Sequence, residues 1–181
     1  MKVHELTEKE MDRMVDELLK RMNMERKRLT REELEKEIIS YLGKKQAWSL
    51  ATSGKAGAPR ISVVDYANDG LTIYIFSEGG KKFKNLKESK NVAIGIGSSS
   101  KTFKSVRGVN ILGTAEIFTE DTPEFKYAMK LFRPAFEDVE NQIGGDLQFP
   151  KGMVRILKIT PKEIVYYHNN KGILNAHWRA K

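Results

Sequence analysis

Two glycines followed by two lysines, Gly79-Gly80-Lys81-Lys82, are the residues of this chain best suited to chemistry. Glycine lets successive backbone N–H groups turn toward one point, and the two ammonium groups that follow add positive charge beside them. Such a set of donors suits an anion. The pattern lacks the G-x-x-x-x-G-K-[ST] spacing of a nucleoside-triphosphate loop, and it follows a hairpin instead of opening a strand-helix-strand unit. A lysine-rich short helix also serves many proteins as a solvated face, so the motif alone leaves a small anion and plain solvation both open.

Other reactive chemistry is scarce. The chain has no cysteine, which excludes disulfides, thiolate chemistry and cysteine-ligated metals together. His4, His168 and His177 are the only imidazoles, and none stands in a metal-ligand spacing such as H-E-x-x-H, so no metal site is expected. The run Ser98-Ser99-Ser100 has no histidine near it and does not suggest a hydrolase triad.

The elements that must position the glycine-lysine motif are legible around it. Residues 60–66 carry β-branched Ile61, Val63 and Val64, and residues 71–76 alternate Leu71, Ile73 and Ile75 with Thr72 and Tyr74. Both read as strands. Asn68-Asp69-Gly70 supplies turn chemistry between them, so the pair is expected as a hairpin whose second strand ends at Ser77. A short helix over residues 81–88 follows. Further strands are expected over residues 47–53, 92–96, 109–118, 153–159 and 163–168, with turns at residues 54–57 and at Thr160-Pro161-Lys162. Seven short strands with hairpin links point to a closed antiparallel barrel. A helix capped by Thr122, with Pro123 in its first turn, should reach Phe132 and stop or kink at Pro134, and residues 138–147 should add another turn or two.

The first forty residues have a different texture. Met11, Met14, Val15, Leu18, Leu19 and Met22 fall on one stripe of a helix that opens with the capping box Thr7-Glu8-Lys9-Glu10. A second box, Thr30-Arg31-Glu32-Glu33, starts a helix striped by Leu34, Ile38, Tyr41 and Leu42. The methionine-rich stripe reads as a packing face against the barrel or a partner subunit. We therefore divide the chain into an N-terminal helical extension, residues 1–43, and a barrel domain, residues 44–181.

Composition sets outer bounds. A chain of 181 residues, 40% hydrophobic and 31% charged, is that of one globular domain with a real core. No apolar run is long enough to cross a bilayer, and the acidic, polar N-terminus is unlike a secretory signal, so a cytoplasmic location is expected. The net charge of +8 is spread along the chain, and no helix-turn-helix, zinc-finger or RNP-type pattern accompanies it. Solubility plus an anionic ligand accounts for that charge better than nucleic acid does.

Taken in order, AWSLATSGKAGAPRISVVDY, LTIYIFSEGGKKFKNLKESKNVAIGI and VRGVNILGTAEI resemble the FMN-binding split barrel of the pyridoxamine 5′-phosphate oxidase-like superfamily, over residues 45–168. The resemblance implies a mainly β fold, a split antiparallel β-barrel with flanking helices. It implies that Arg60, Lys81 and Lys82 contact the FMN phosphate with Ser77 and the amides near Gly80 beside them. Ile61, Ser62 and Val63 would offer backbone groups and a wall to the isoalloxazine, and Arg107, Gly108 and Val109 of a second subunit would complete the pocket of a homodimer. Each charge-assisted hydrogen bond to a phosphate is worth about 1.5–3 kcal/mol, so three cations together with helix N–H groups would support micromolar binding, about 8 kcal/mol. The chain departs from the true oxidase at Asp65, where that enzyme has lysine, and at Gly108, where it has a flavin-touching glutamine. The oxidase's C-terminal arginine-leucine-x-proline signature is also missing. The expected function is thus an FMN-dependent oxidoreductase acting on an unidentified small substrate, distinct from pyridoxamine phosphate oxidase itself. Asp65, Tyr66 and Arg107 are candidates for the ring's surroundings, and no acid or base is named. The alternative is a split barrel that holds FMN, haem or a deazaflavin without turnover; nucleic-acid binding ranks below both.

Overall fold

In the computed structural model, which describes residues 6–44, 48–55, 57–98 and 101–181, the segment expected as one strand over residues 60–66 is interrupted at Asp65. β2 (Pro59–Val64) pairs antiparallel with β1 (Trp48–Ser53), whereas β3 (Tyr66–Asp69) pairs with β4 (Thr72–Ser77). The expected hairpin therefore forms only through its second part. Ala47, where the first strand was expected to begin, lies outside the described residues, as do His4, Lys45, Ala56, Ser99 and Ser100.

The remaining strands, β5 (Asn91–Gly97), β6 (Arg107–Phe118), β7 (Arg155–His168) and β8 (Ile173–Arg179), complete one antiparallel sheet in the order β2-β1-β5-β6-β7-β4-β3, with β8 on β7. Because β2 and β3 are consecutive in the chain yet end the path on opposite sides, the sheet must curl until its ends meet at Asp65. That is a split barrel, as expected. The sheet branches along β7, whose edge away from β6 is shared: residues 155–159 pair with β4 and residues 163–168 with β8.

One expected turn and one expected helix end are absent. Thr160-Pro161-Lys162 does not separate two strands; β7 runs through it, and the register against β6 slips between Leu112 and Gly113, which faces Pro161. A bulge is one of the few places in a sheet where proline's missing N–H is tolerated. Gly113 is required there, since a Cβ would lie 2.5 Å from the Thr160 carbonyl oxygen. Similarly, α4 (Pro123–Ile143) continues past Pro134 as one helix. Pro134 sits on its exposed face, where water can reach the Lys130 carbonyl that loses its donor. β8, unforeseen in the sequence, brings the strand number to eight.

The two N-terminal helices, α1 (Glu8–Arg21) and α2 (Arg31–Leu42), open on the expected capping boxes, with Thr7 and Thr30 each accepting from the amide three residues on. Only half of the α1 stripe is covered: Val15 and Leu19 are buried, and Met11, Met14 and Leu18 are exposed. The α2 stripe is wholly buried, and Leu34, Ile38, Tyr41 and Leu42 share one core with Leu50, Ile94, Ile111 and Ile164 of the barrel. A second core lies under α4, where Phe125, Ala128 and Phe132 meet Tyr74 and Ile156. Alternation along β4 joins the two, since Ile73 and Ile75 face the barrel and Tyr74 faces α4. The short helix α3 (Lys82–Glu88) follows β4 and is tied to β1 by Asn85, whose Nδ2 donates to the Thr52 carbonyl and hydroxyl oxygens at 3.2 Å. Among the described residues no helix is long and apolar enough to cross a membrane.

Candidate functional site

That tie decides where the cations meet. Thr52, clasped by Asn85, stands opposite Arg60 in the β1–β2 ladder, so Arg60 and the start of α3 lie at one end of the barrel. Lys82 is buried, and its Nζ donates to the Gly79 carbonyl at 2.7 Å. Burial, with the positive charge of Arg60 adding to it, pulls the Lys82 ammonium below its ordinary value against the upward pull of Glu78. An ammonium drawn out of water beside a second cation, with no carboxylate among the described residues in hydrogen-bond contact, is a group that an anion would relieve. Ser77, buried at the end of β4, exchanges hydrogen bonds with Gly79, accepting from its N–H at 3.3 Å. Gly79 and Gly80 hold φ of 150° and 106°, which side chains rarely adopt, and a Cβ on Gly79 would meet no atom. The loop thus leaves open space next to the cations. Lys81 and Gly80 are exposed at its mouth.

Arg155 joins this end without having been foreseen. It faces Ser77 in the β4–β7 ladder, and its guanidinium lies 5.1 Å from the centroid of the Phe83 ring, while Lys82 Nζ lies 5.4 Å from the same centroid. Along β2, Ile61 and Val63 are 68% and 74% exposed, and Ser62 is half-buried between them. An apolar, open edge therefore leads away from Arg60.

Arg107, Gly108 and Val109 lie elsewhere in the same chain. Arg107 faces His168 at one end of β7 and Ser77 faces Arg155 at the other, so the length of a 14-residue strand, at most roughly 40 Å, lies between the groups. Arg107 is engaged by its own chain. Its Nε donates to the Tyr166 hydroxyl at 3.0 Å, and its guanidinium lies 4.6 Å from the Tyr41 ring centroid. The Tyr166 hydroxyl donates to Glu37 at 3.3 Å, and Lys171 Nζ donates to the same carboxylate at 2.5 Å. Burial raises Glu37, but Lys171, Tyr166 and Arg107 outweigh it and hold the carboxyl below its ordinary value. Tyr166 is pushed up to about 12, mainly by burial. His168, whose Nδ1 is 4.0 Å from Glu37, is lowered by burial and by the charges of Arg107 and Lys171. The Val109 side chain is fully buried in the barrel core. Gly108 is hemmed in, since a Cβ there would lie 2.6 Å from both the Ile96 carbonyl oxygen and the Tyr167 hydroxyl. Tyr167, its ladder partner, fills the room that a side chain at position 108 would need.

At the far end of β2, where the barrel closes, a cavity of about 480 Å³ opens between the end of α2, the β2–β3 joint and the middle of α4. Leu42, Leu131 and Phe132 form apolar walls, and Asp65 and Tyr66 stand at the joint. Tyr66 packs on Trp48 and donates to the backbone carbonyls of Leu42 and Lys44, and burial pushes its hydroxyl up to about 12. Among the described residues no group of acidic or histidine side chains could hold a metal ion. The imidazoles of His168 and His177 lie 4.0 Å and 3.4 Å from the carboxylates of Glu37 and Glu163.

A family model described as pyridoxamine 5′-phosphate oxidase matches residues 34–168, beginning inside α2. No curated protein sequence matches significantly. Among solved structures, the general stress protein 26 of Bacillus anthracis is similar at a TM-score of 0.59 and 16% identity, covering 81% of this chain and 98% of its own. The heme storage protein HutZ of Vibrio cholerae is similar at 0.56 and 16% identity, covering 71% and 89%. A FAD-binding protein of Mesorhizobium loti is similar at 0.53 and 14% identity, covering 75% and 90%. At these identities the likeness is one of fold.

Proposed function

The chain belongs to the pyridoxamine 5′-phosphate oxidase family, and from that premise we propose that it binds FMN and passes two electrons between the flavin and a small substrate. The observation that carries the reading is the Lys82 ammonium, desolvated, close to Arg60 and beside an open glycine loop. Arg60, Lys81, Lys82, Ser77 and the Gly80 amide hold the phosphate. Ile61, Ser62 and Val63 give the flat ring an apolar edge and backbone groups. Bound there, the flavin would supply the two-electron chemistry. The protein's part is to fix its phosphate, shield one face from water and leave the other open to substrate.

Arg107, Gly108 and Val109 pair at the opposite end of β7 from the residues beside Lys82, which supports a reading in which their share in the site comes from a second copy. The reading therefore includes a homodimer with FMN between subunits. Gly108, packed under Tyr167, cannot accept a glutamine without rearrangement, which supports a reaction other than that of the true oxidase.

The test is a visible-range titration of the purified protein with FMN. A flavin spectrum retained through gel filtration, at the elution volume of a dimer, is expected. Arg60→Ala with Lys82→Ala should weaken FMN by 10-fold or more, on the order of 1.4 kcal/mol, and leave riboflavin nearly unchanged, because only FMN carries the phosphate. Protein that takes up no flavin would overturn the reading. Equal losses for FMN and riboflavin would move the phosphate away from these residues. Anaerobic mixing of the loaded protein with NADH or NADPH then asks for bleaching of the flavin band; the absence of reduction by either would favour a binding module.

A further inference from the structure

The cavity at the closure of the barrel has a one-sided polar chemistry. Its volume, about 480 Å³, falls in the range of small-molecule sites. Its walls are mainly apolar, and Asp65 is its only charged side chain among the described residues, in a chain whose net charge is +8. The Tyr66 hydroxyl and one N–H of Asn68 beside Asp65 are already committed. The Tyr66 hydroxyl donates to the carbonyls of Leu42 and Lys44, and Asn68 Nδ2 donates to the Gly70 carbonyl at 3.0 Å. The Asp65 carboxylate is left over: it is exposed and pairs with no described cation. A pocket with apolar walls and one unpaired carboxylate as its only charge selects for an occupant that is apolar in body and carries positive charge.

We propose that this cavity is a binding subsite for a small, mainly apolar organic cation, such as an aryl-alkylamine, with Asp65 as the residue that selects its charge. Four residues of β2, Ile61, Ser62, Val63 and Val64, separate Asp65 from Arg60, so one strand would join the anion end of the site to the cation end. That the occupant is the substrate of the flavin rests on the proposed function; that the cavity takes a cation does not.

Calorimetric titration of the full chain with benzylamine, benzyl alcohol and benzoate, three probes of one shape and three charges, tests this. Benzylamine should bind about three- to fivefold more tightly than benzyl alcohol, the scale of one partly exposed ion pair, and benzoate least tightly. Asp65→Asn should bring the amine and the alcohol to within about twofold of each other while leaving binding of the alcohol intact. Ala135→Trp, which fills the cavity, should reduce binding of all three. No saturable binding of benzylamine, or equal affinity for the three probes in the unmodified protein, would overturn the inference whatever the variants do. FMN uptake is read by absorbance in parallel samples. Cation binding without flavin uptake would leave the subsite standing and remove the proposed function, whereas flavin uptake without charge preference would do the reverse.

Discussion

Replacing Glu37 by glutamine should destabilise the protein by about 2 kcal/mol at neutral pH. The carboxylate is only 18% exposed, and it compensates Lys171 at 2.5 Å, accepts from Tyr166 at 3.3 Å and faces Arg107 at 4.0 Å. Breaking a fully buried ion pair costs about 3–5 kcal/mol, because the surviving charge stays desolvated. Here Lys171 is 45% exposed and can turn to water, but Arg107, at 15%, cannot, so about half of that range is appropriate. For a chain of this size 2 kcal/mol corresponds to a fall in Tm of roughly 4–8 °C. Urea unfolding across pH provides the sharper assay, since two groups titrate with known signs. Glu37 lies below its ordinary value of 4.5, so its contribution is present above that pH and is lost as pH falls below it. The glutamine variant has no such contribution to lose, and the gap to the parent should close below pH 4.5. His168 lies below 6.5, so the folded state favours its neutral form; stability is complete above 6.5 and declines as pH falls through the depressed value. Removing Glu37 deletes the one charge that raises His168, and the variant's decline below pH 6.5 should continue to lower pH than the parent's. A variant within about 0.5 kcal/mol of the parent, or a gap unchanged between pH 7 and pH 4, would refute the assignment of Glu37 as the hub that fastens α2 to the barrel.

Gly108→Ala should cost about 3 kcal/mol, because its Cβ meets a ladder carbonyl at 2.6 Å as well as Tyr167; adding Tyr167→Ala should recover only part of the denaturant midpoint, since the Ile96 oxygen stays in place. Removing residues 1–29 should leave a folded barrel, whereas removing residues 1–43 strips Leu34, Ile38, Tyr41 and Leu42 from the main core. At about 1.5–3 kcal/mol for each buried side chain the second loss approaches the whole stability of a domain, and circular dichroism of the shorter chain should show loss of cooperative unfolding.

Local signals carried far in this chain. Capping boxes, stripe periodicity and turn residues placed α1, α2, α3 and most strand cores to within a residue or two, because each is set by neighbours in sequence. The misplacements share one cause. Pro134 and Pro161 were read as breaks, and each proved tolerable for tertiary reasons: an exposed helix face in one case, a bulge opposite Gly113 in the other. The split at Asp65 has the same origin. Nothing in the alternation of residues 60–66 announces that Val64 and Tyr66 belong to opposite ends of a sheet, since that is fixed only when the sheet closes.

The same division holds for the site. Lys82 was legible because glycines and lysines adjacent in sequence stay adjacent in space, but what makes it chemically unusual is burial beside Arg60, and that depends on Asn85 holding α3 against the strand that pairs with Arg60. Arg155 was missed because only the pairing of β4 with β7, across 78 positions of sequence, brings it to Ser77. Arg107 was legible as a candidate and yet its surroundings were not: Glu37, Tyr166 and Lys171 come from three separate stretches of chain, and together they hold it within its own subunit. If that guanidinium is to serve a cofactor bound by a second copy, it must do so from inside this network, so Glu37→Gln has a second readout. It should change flavin affinity in the dimer as well as stability, and stability alone would move if Arg107 only fastens α2.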